Sequence, residues 1–173
     1  MSDLLYNEVP AVPGKTEYAA GDWQAYAIHD ATQIRGFFGE YRFLSNFYCP
    51  APVWFEGLLY LATEQAYQAA KVAPAERSQF LNIKPGASKK LWKTLALLYT
   101  KEEWEKIKYD IMFGLVFQKF LTHPELRAKL LATGDAYLEE RNHWHDVYWG
   151  IDLNGVGENN LGKILMKVRA ALR

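Results

Sequence analysis

The sequence predicts an α+β fold, a helix-dominated single domain with a small antiparallel sheet. Three observations lead to this prediction. Half of the 173 residues are hydrophobic, which suffices for the core of one domain of ordinary size. An aromatic stretch broken by glycine and proline runs from Phe37 to Tyr60 and is typical of strands and turns. Beyond it, apolar residues recur at helical spacing behind capping residues.

Residues 1–35 are predicted to form an irregular N-terminal arm, and residues 36–173 the folded domain. The arm contains several proline and glycine residues and no sustained hydrophobic period, so we expect at most short strands, around Tyr18 and from Gln24 to Ile28. The segment from Phe37 to Tyr60 is predicted to be strand and loop without helix. Within it, residues 54–55 and 58–60 flank Glu56 and Gly57, which predicts a hairpin.

Two helices are predicted next, over residues 63–71, capped by Thr63, and over residues 75–82. Thr100 and Glu103 form a capping box that begins a longer helix. A second capping signal at Thr122 precedes a helix that ends at Gly134, and residues 136–150 return to an extended pattern. The last helix begins at Asn160, with a buried stripe formed by Leu161, Ile164, Leu165, Val168 and Leu172.

Charge and cysteine content exclude several classes of protein. Twenty basic residues balance 20 acidic ones, which argues against a long basic face that grips nucleic acid. The single cysteine, Cys49, excludes an intramolecular disulfide and a cysteine-rich zinc site. No apolar run is long enough to cross a membrane, and the first residues do not resemble a secretory signal. We therefore expect a cytoplasmic protein with no membrane partner.

Glu64, Gln68 and Lys71 occupy successive turns of one predicted helix face, so a carboxylate, an amide and an amine lie together. This face is either solvated surface or a catalytic surface in which Glu64 directs water or faces a developing positive charge. The lysines between Lys84 and Lys93 likewise form either a phosphate site or plain surface.

Residues 142–146 are dense in polar and aromatic groups. If this segment is extended, His143 and His145 share one face, and Trp144 and Asp146 share the other. No third ligand is evident, so we predict no metal and consider Asp146 as an acid or base. The large indoles are core residues by default, although one at a pocket edge could stack on a base. The start of the last helix offers either a cap or free amides for an anion.

Four segments in order resemble the NADAR superfamily, the YbiA-like N-glycosidases. They are residues 36–47 (GFFGEYRFLSNF), 63–71 (TEQAYQAAK), 144–150 (WHDVYWG) and 157–166 (GENNLGKILM). The resemblance implies an α+β fold of the YbiA type and an enzyme that needs no metal or cofactor. It implies hydrolysis of an N-glycosidic bond to ribose. The substrate is either a phosphoribosylamino-pyrimidine intermediate of riboflavin synthesis or ADP-ribosylated guanine, which could lie in single-stranded DNA. No obligate protein partner is implied.

The resemblance also implies roles for individual residues. Glu64 would stabilise the oxocarbenium-like transition state or direct water, and Asp146 would protonate or hold the departing nitrogen. Lys71 would either bind substrate oxygens or attack a ring-opened ribose as a Schiff-base nucleophile. Gln65 stands where many relatives have histidine, so that histidine's role does not transfer. The predicted substrate-binding residues are Ser45, Asn46, Gln68, Trp104, Trp149, Gly150, Asn159, Asn160 and Gly162.

Two rival functions remain open at this point. One is a reader module that binds ADP-ribose or a nucleotide without cleaving it. The other is an accessory domain that docks on nucleic acid, which the zero net charge disfavours.

Overall fold

Short strands and five α-helices are divided between two units in residues 27–173, the part of the chain that the computed structural model describes. The first unit contains residues 27–42 and Asp135–Met166, and the second contains Phe43–Gly134 and Lys167–Arg173. The strands are β1 (Ile28–His29), β2 (Gln33–Arg35), β3 (Val53–Phe55), β4 (Leu58–Tyr60), β5 (Tyr137–Glu139), β6 (Arg141–Asn142) and β7 (Ile151–Asp152). The α-helices are α1 (Thr63–Ala69), α2 (Pro85–Leu91), α3 (Lys101–Thr122), α4 (Pro124–Ala132) and α5 (Asn160–Ala171).

The first unit is built on a three-stranded sheet in the order β1-β2-β5. Strand β2 pairs antiparallel with β1 and parallel with β5, and β6 pairs parallel with β7. Ile34 and Leu138 lie side by side in this sheet and are buried, as are Leu161 and Ile164 of α5. The predicted strand around Tyr18 lies outside the described residues, as does most of the one predicted from Gln24 to Ile28.

The second unit contains the predicted hairpin, which is confirmed. Strands β3 and β4 pair antiparallel, with Phe55 opposite Leu58. Glu56 and Gly57 both have positive φ angles, 48° and 79°, as a tight turn between right-handed twisted strands requires. The hairpin and α1 both pack against other elements of this unit, and Val53, Tyr60 and Ala66 are fully buried.

Several predicted helix boundaries are correct and others are wrong. The capping box at Thr100 and Glu103 is present at the start of α3, and Gly134 has a φ of 58° just beyond α4. Thr63 and Thr122 are not caps, because Ala62 and His123 occupy those positions and no side chain caps either helix. Helix α4 begins instead with a proline, whose fixed φ suits the first turn.

Two segments differ in type from their prediction. Gly39–Leu44 is a 3-10 helix where strand and loop were predicted, and the helix predicted over residues 75–82 is a 3-10 helix at Pro74–Phe80. Helix α2 was not predicted, because Pro85 and Gly86 indicate a break in the chain, whereas a proline is well tolerated in the first turn of a helix. The buried stripe predicted for the last helix is confirmed at all five positions, Leu161, Ile164, Leu165, Val168 and Leu172.

The α+β class with dominant helices is therefore confirmed, with both parallel and antiparallel strand pairs. Within residues 27–173, none of the helices combines the length and the apolar character that crossing a membrane requires.

Candidate functional site

Glu64 lies in the first turn of α1 and is buried, with 4% of its surface exposed. Its backbone N–H donates to the carbonyl of Asn46 (3.0 Å), which ties the helix start to the preceding loop. The side-chain amide of Gln68, one turn along, donates to Glu64 Oε1 at 2.7 Å. A carboxylate in the first turn is also stabilised by the helix dipole. The geometry therefore favours the functional interpretation of this face over solvated surface.

Several side-chain oxygen atoms of α1 and of the loop bonded to its start are buried and accept no hydrogen bond. Within the described residues of these two segments they belong to Asn46, Thr63, Gln65 and Gln68. An unsatisfied buried polar atom costs about 1–3 kcal/mol, so such groups are rare in stable cores and concentrate at functional sites. A ligand carrying hydroxyl groups would supply the donors that these acceptors lack.

Lys71 follows the end of α1 and its amine lies among aromatic rings. Its Nζ is 4.4 Å from the ring centroid of Trp92, 5.1 Å from that of Tyr67 and 5.5 Å from that of Trp104. Trp104 also packs against Tyr67, with centroids 5.3 Å apart. Trp104, predicted to bind substrate, therefore lies in contact with the predicted catalytic lysine.

Burial lowers the pKa of Lys71 to about 8. The carboxylate of Glu64 opposes this effect, whereas the nearby positive charges of Lys89, Lys108 and Lys93 add to it. Of the predicted lysine patch, Lys89 and Lys93 thus lie near the amine of Lys71. Lys84 and Lys90 are exposed surface residues.

The loop that carries Ser45 and Asn46 is held by a buried lysine. Lys119 of α3 is 1% exposed, and its Nζ donates to the carbonyls of Phe43 (2.6 Å) and Ser45 (2.9 Å). Ser45 Oγ accepts the N–H of Phe47, and the Asn46 amide contacts the sulfur of Met112. Both predicted substrate-binding residues are buried, and Asn46 is joined directly to the start of α1.

Gln65, the residue that departs from the family pattern, is fully buried, and its side-chain amide makes structural hydrogen bonds. Its Nε2 donates to the carbonyls of Phe80 (3.1 Å) and Ile83 (2.5 Å). It therefore ties α1 to the segment that precedes α2.

The remaining predicted site residues belong to the first unit. Asp146 does not lie in an extended segment as expected, because His145 has a φ of 60° and residues 143–150 form bends and a turn. Asp146 Oδ1 accepts the N–H of Trp149 at 2.8 Å, and Asn142 bonds both backbone groups of Asp146. Nδ1 of His145 lies 3.1 Å from Asp152 Oδ2. The two histidines therefore do not form the shared face that the sequence predicted.

The start of α5 is packed and not open. The N–H groups of Asn160 and Leu161 donate to the carbonyls of Tyr148 and Trp149, so these two amides are not free to bind an anion. Asn159 is 2% exposed, and its side chain bonds Glu140 and Leu138. The Asn160 amide donates to Glu158.

Two glycines of the same region permit close backbone packing. A Cβ on Gly162 would lie 2.2 Å from the carbonyl oxygen of Leu138, and one on Gly150 would lie 2.2 Å from that of Glu140. The structure thus gives Asn159, Gly150 and Gly162 structural contacts, and their roles in substrate binding stay predictions. Those of Trp149 and Asn160 do as well. Among residues 27–173, no group of histidine, cysteine and acidic side chains could hold a metal ion.

Comparison with known proteins identifies the family. The NADAR domain matches residues 35–173. N-glycosidase Npun_R5314 of Nostoc punctiforme is 34% identical over 137 residues, which cover 77% of this chain and 86% of that protein. The chain belongs to the NADAR family. The solved NMR structure of Escherichia coli YbiA matches with a TM-score of 0.70 and 29% identity, over 87% of this chain and 90% of that one.

Another relative is longer. Riboflavin biosynthesis protein VVA0006 of Vibrio vulnificus is 34% identical over 132 residues, which cover 76% of this chain. The match spans only 35% of that protein's length. The name of the Nostoc relative, which is matched over most of its own length, supports the enzyme class predicted here, an N-glycosidase.

The sequence analysis missed two residues of the candidate site. Trp92 was assigned to the core by default, although its ring is the one nearest to the Lys71 amine. No role was predicted for Lys119, although its spacing from apolar residues of the helix indicates that it is buried. It lies seven residues after Met112 and four after Leu115, on the buried face of α3.

Proposed function

We propose that this protein hydrolyses the N-glycosidic bond between ribose and a base in a phosphorylated nucleotide. The observation that carries the proposal is the buried carboxylate of Glu64, which accepts a hydrogen bond from Gln68. The amine of Lys71, three residues after Gln68, lies on the same face and interacts with this carboxylate. In the reaction, water adds to the anomeric carbon, the carbon–nitrogen bond breaks, and the base departs with a proton. Positive charge develops on the sugar as this bond breaks, and a nearby carboxylate stabilises it.

Glu64 is suited to this task because it is held in one orientation. Its Oε1 is bonded to Gln68, and its backbone is bonded to Asn46. The side-chain oxygens of these same two residues, Asn46 and Gln68, accept no hydrogen bond, so sugar hydroxyls would supply the missing donors. Asp146 is the proposed acid for the departing nitrogen, and its bond to Trp149 would keep that carboxylate in a fixed rotamer.

For Lys71, the geometry favours a charged contact with substrate oxygens. Three aromatic faces within 5.5 Å stabilise an ammonium more than a neutral amine. The lysines around it make a region where phosphate oxygens are attracted. The Schiff-base role requires the neutral amine, so the two roles predict opposite pH dependence.

We expect kcat/KM to fall as the pH rises through about 8, because the Lys71 ammonium loses its proton there. The Lys71→Arg variant keeps its charge across this range, so its falling limb should disappear even if its overall rate is lower. The test is to measure kcat/KM of both proteins on the cleaved substrate as a function of pH. A rate that instead rises through pH 8, with a borohydride-trapped adduct at Lys71, would establish the Schiff-base role.

The leading substrate class is a phosphoribosylamino-pyrimidine. The name of the Vibrio vulnificus relative, a riboflavin biosynthesis protein, supports this choice. A single phosphate on the ribose would be drawn toward the Lys71 amine and its neighbouring lysines.

The second candidate substrate is ADP-ribosylated guanine in single-stranded DNA. The number of lysines near Lys71 favours it, since Lys89, Lys93 and Lys108 together could face a diphosphate. Lys93 is exposed, as are Lys84 and Lys90 in the same segment, so single-stranded DNA could dock briefly on this surface.

A side-by-side assay tests the function. Purified protein is incubated with a phosphoribosylaminouracil and with ADP-ribosylated single-stranded DNA, and the released base and free ADP-ribose are measured by mass spectrometry. We expect turnover of the first substrate to exceed that of the second. Faster release of ADP-ribose would favour the DNA substrate. Binding of ADP-ribose with no product from either substrate would identify a reader module and contradict the proposal.

A further inference from the structure

The Lys71 amine is enclosed by rings from three different segments of the second unit. Tyr67 comes from α1 and Trp104 from α3, while Trp92 opens the 3-10 helix Trp92–Thr94 that follows α2. Of the three, the Trp92 ring lies nearest to Nζ, at 4.4 Å. Trp92 is half-buried, and so is Trp104.

The backbone fixes Trp92 and Lys71 relative to one another. The N–H of Leu98 donates to the carbonyl of Lys71 at 2.9 Å, and the N–H of Ala73 donates to the carbonyl of Ala96 at 2.9 Å. These two bonds bracket an antiparallel bridge between Val72 and Leu97. The segment after the Trp92 turn is therefore paired with the segment that carries Lys71. This pairing keeps the Trp92 ring close to the Lys71 amine.

The charged groups that face Lys71 do not by themselves hold its ammonium in place. Burial and three lysines disfavour the charge, and one carboxylate, Glu64, favours it. The negative faces of aromatic rings supply additional stabilisation that acts only on the cation. The three lysines that face Lys71 are Lys89, Lys93 and Lys108.

We propose that Trp92 is a positioning residue, whose indole completes an aromatic box with Tyr67 and Trp104 and holds the Lys71 ammonium toward the substrate. The proposal rests on the function proposed above as far as turnover is concerned. The aromatic box does not depend on that function, because these rings surround Lys71 in the protein without substrate.

Two variants separate the aromatic contribution from simple packing. Trp92→Phe keeps an aromatic face, whereas Trp92→Leu keeps an apolar side chain and removes that face. Both side chains are smaller than tryptophan and apolar, so the difference between the two variants mainly reports the aromatic face. Trp54→Leu is the matched control, because Trp54 is 56% exposed on β3, outside the three segments that supply the rings of the box.

The pKa of Lys71 is measured by NMR titration of protein labelled with 13C at the lysine ε-carbon, with Lys71→Arg identifying the signal. We expect the midpoint in Trp92→Leu to lie below that in Trp92→Phe by roughly half a pH unit, the equivalent of one cation–π contact. The falling limb of the pH–rate profile should move in the same order. At pH 8, Trp92→Leu should lose about 2- to 5-fold in kcat/KM and Trp92→Phe less.

Equal midpoints in the two variants would overturn the box. A midpoint difference with unchanged turnover in Trp92→Leu would overturn the positioning role. If the parent protein cleaves neither substrate, the proposed function fails, and the titration still decides whether the box exists.

Discussion

Replacing Glu64 by glutamine is expected to reduce kcat by about 10²–10⁴-fold, the range typical of a positioned catalytic carboxylate. The substitution keeps the shape of the side chain and its ability to accept the Gln68 hydrogen bond, but it removes the negative charge. A neutral amide stabilises a developing sugar cation far less than a carboxylate does. Single-turnover rates on the cleaved substrate provide the measurement.

Folding should be nearly unaffected by the same change. Glu64 is buried, so an uncharged amide of the same size removes a desolvation cost while it keeps the bond to Gln68. We expect the free energy of unfolding to change by less than about 1 kcal/mol. Glu102→Gln is the matched control, because Glu102 lies exposed in the first turn of α3. Full activity in Glu64→Gln would remove this residue from the mechanism.

Lys119→Met is expected to destabilise the protein by about 2–4 kcal/mol. Methionine matches the length of lysine but donates no hydrogen bond. The carbonyls of Phe43 and Ser45 would each lose a buried donor, and leaving such a group unsatisfied costs about 1–3 kcal/mol. The contacts of the ammonium with the rings of Phe120 and Tyr48 would also disappear. Urea unfolding measures the loss.

Turnover should fall as well, because the loop held by Lys119 carries Ser45 and Asn46 and is bonded to the backbone of Glu64. Lys106→Met is the matched control. Lys106 is exposed on the same helix, and its replacement should change the free energy of unfolding by less than about 0.5 kcal/mol. Equal stability of the two methionine variants would show that the buried ammonium contributes nothing to holding the loop.

Much of the candidate site was predictable because it lies on one helix. Glu64, Gln68 and Lys71 are separated by four and three residues, and helical geometry alone brings them to one face. Helical spacing alone did not predict that Glu64 and Gln68 are buried. A helix face with a carboxylate, an amide and an amine is usually solvated, and only the packing of α1 against other elements of the second unit buries it.

The residues around the last helix show the opposite case. Asn159, Asn160 and Gly162 suggested an anion site because helix N-termini usually carry free N–H groups. The fold uses those groups itself, since the N–H groups of Asn160 and Leu161 bond preceding carbonyls. Whether a helix start is open or closed depends on chain segments that are distant in sequence, which local patterns do not encode.

Local sequence patterns were enough to predict the α+β class, the hairpin around Gly57, the capping box of α3 and the buried stripe of α5, because each depends on residues a few positions apart. Only the folded chain shows that the Lys119 ammonium is buried against loop carbonyls and that Trp92 faces Lys71. Burial and cation–π contact depend on which surfaces meet across long stretches of chain. Periodicity reports only which residues share one face of one element.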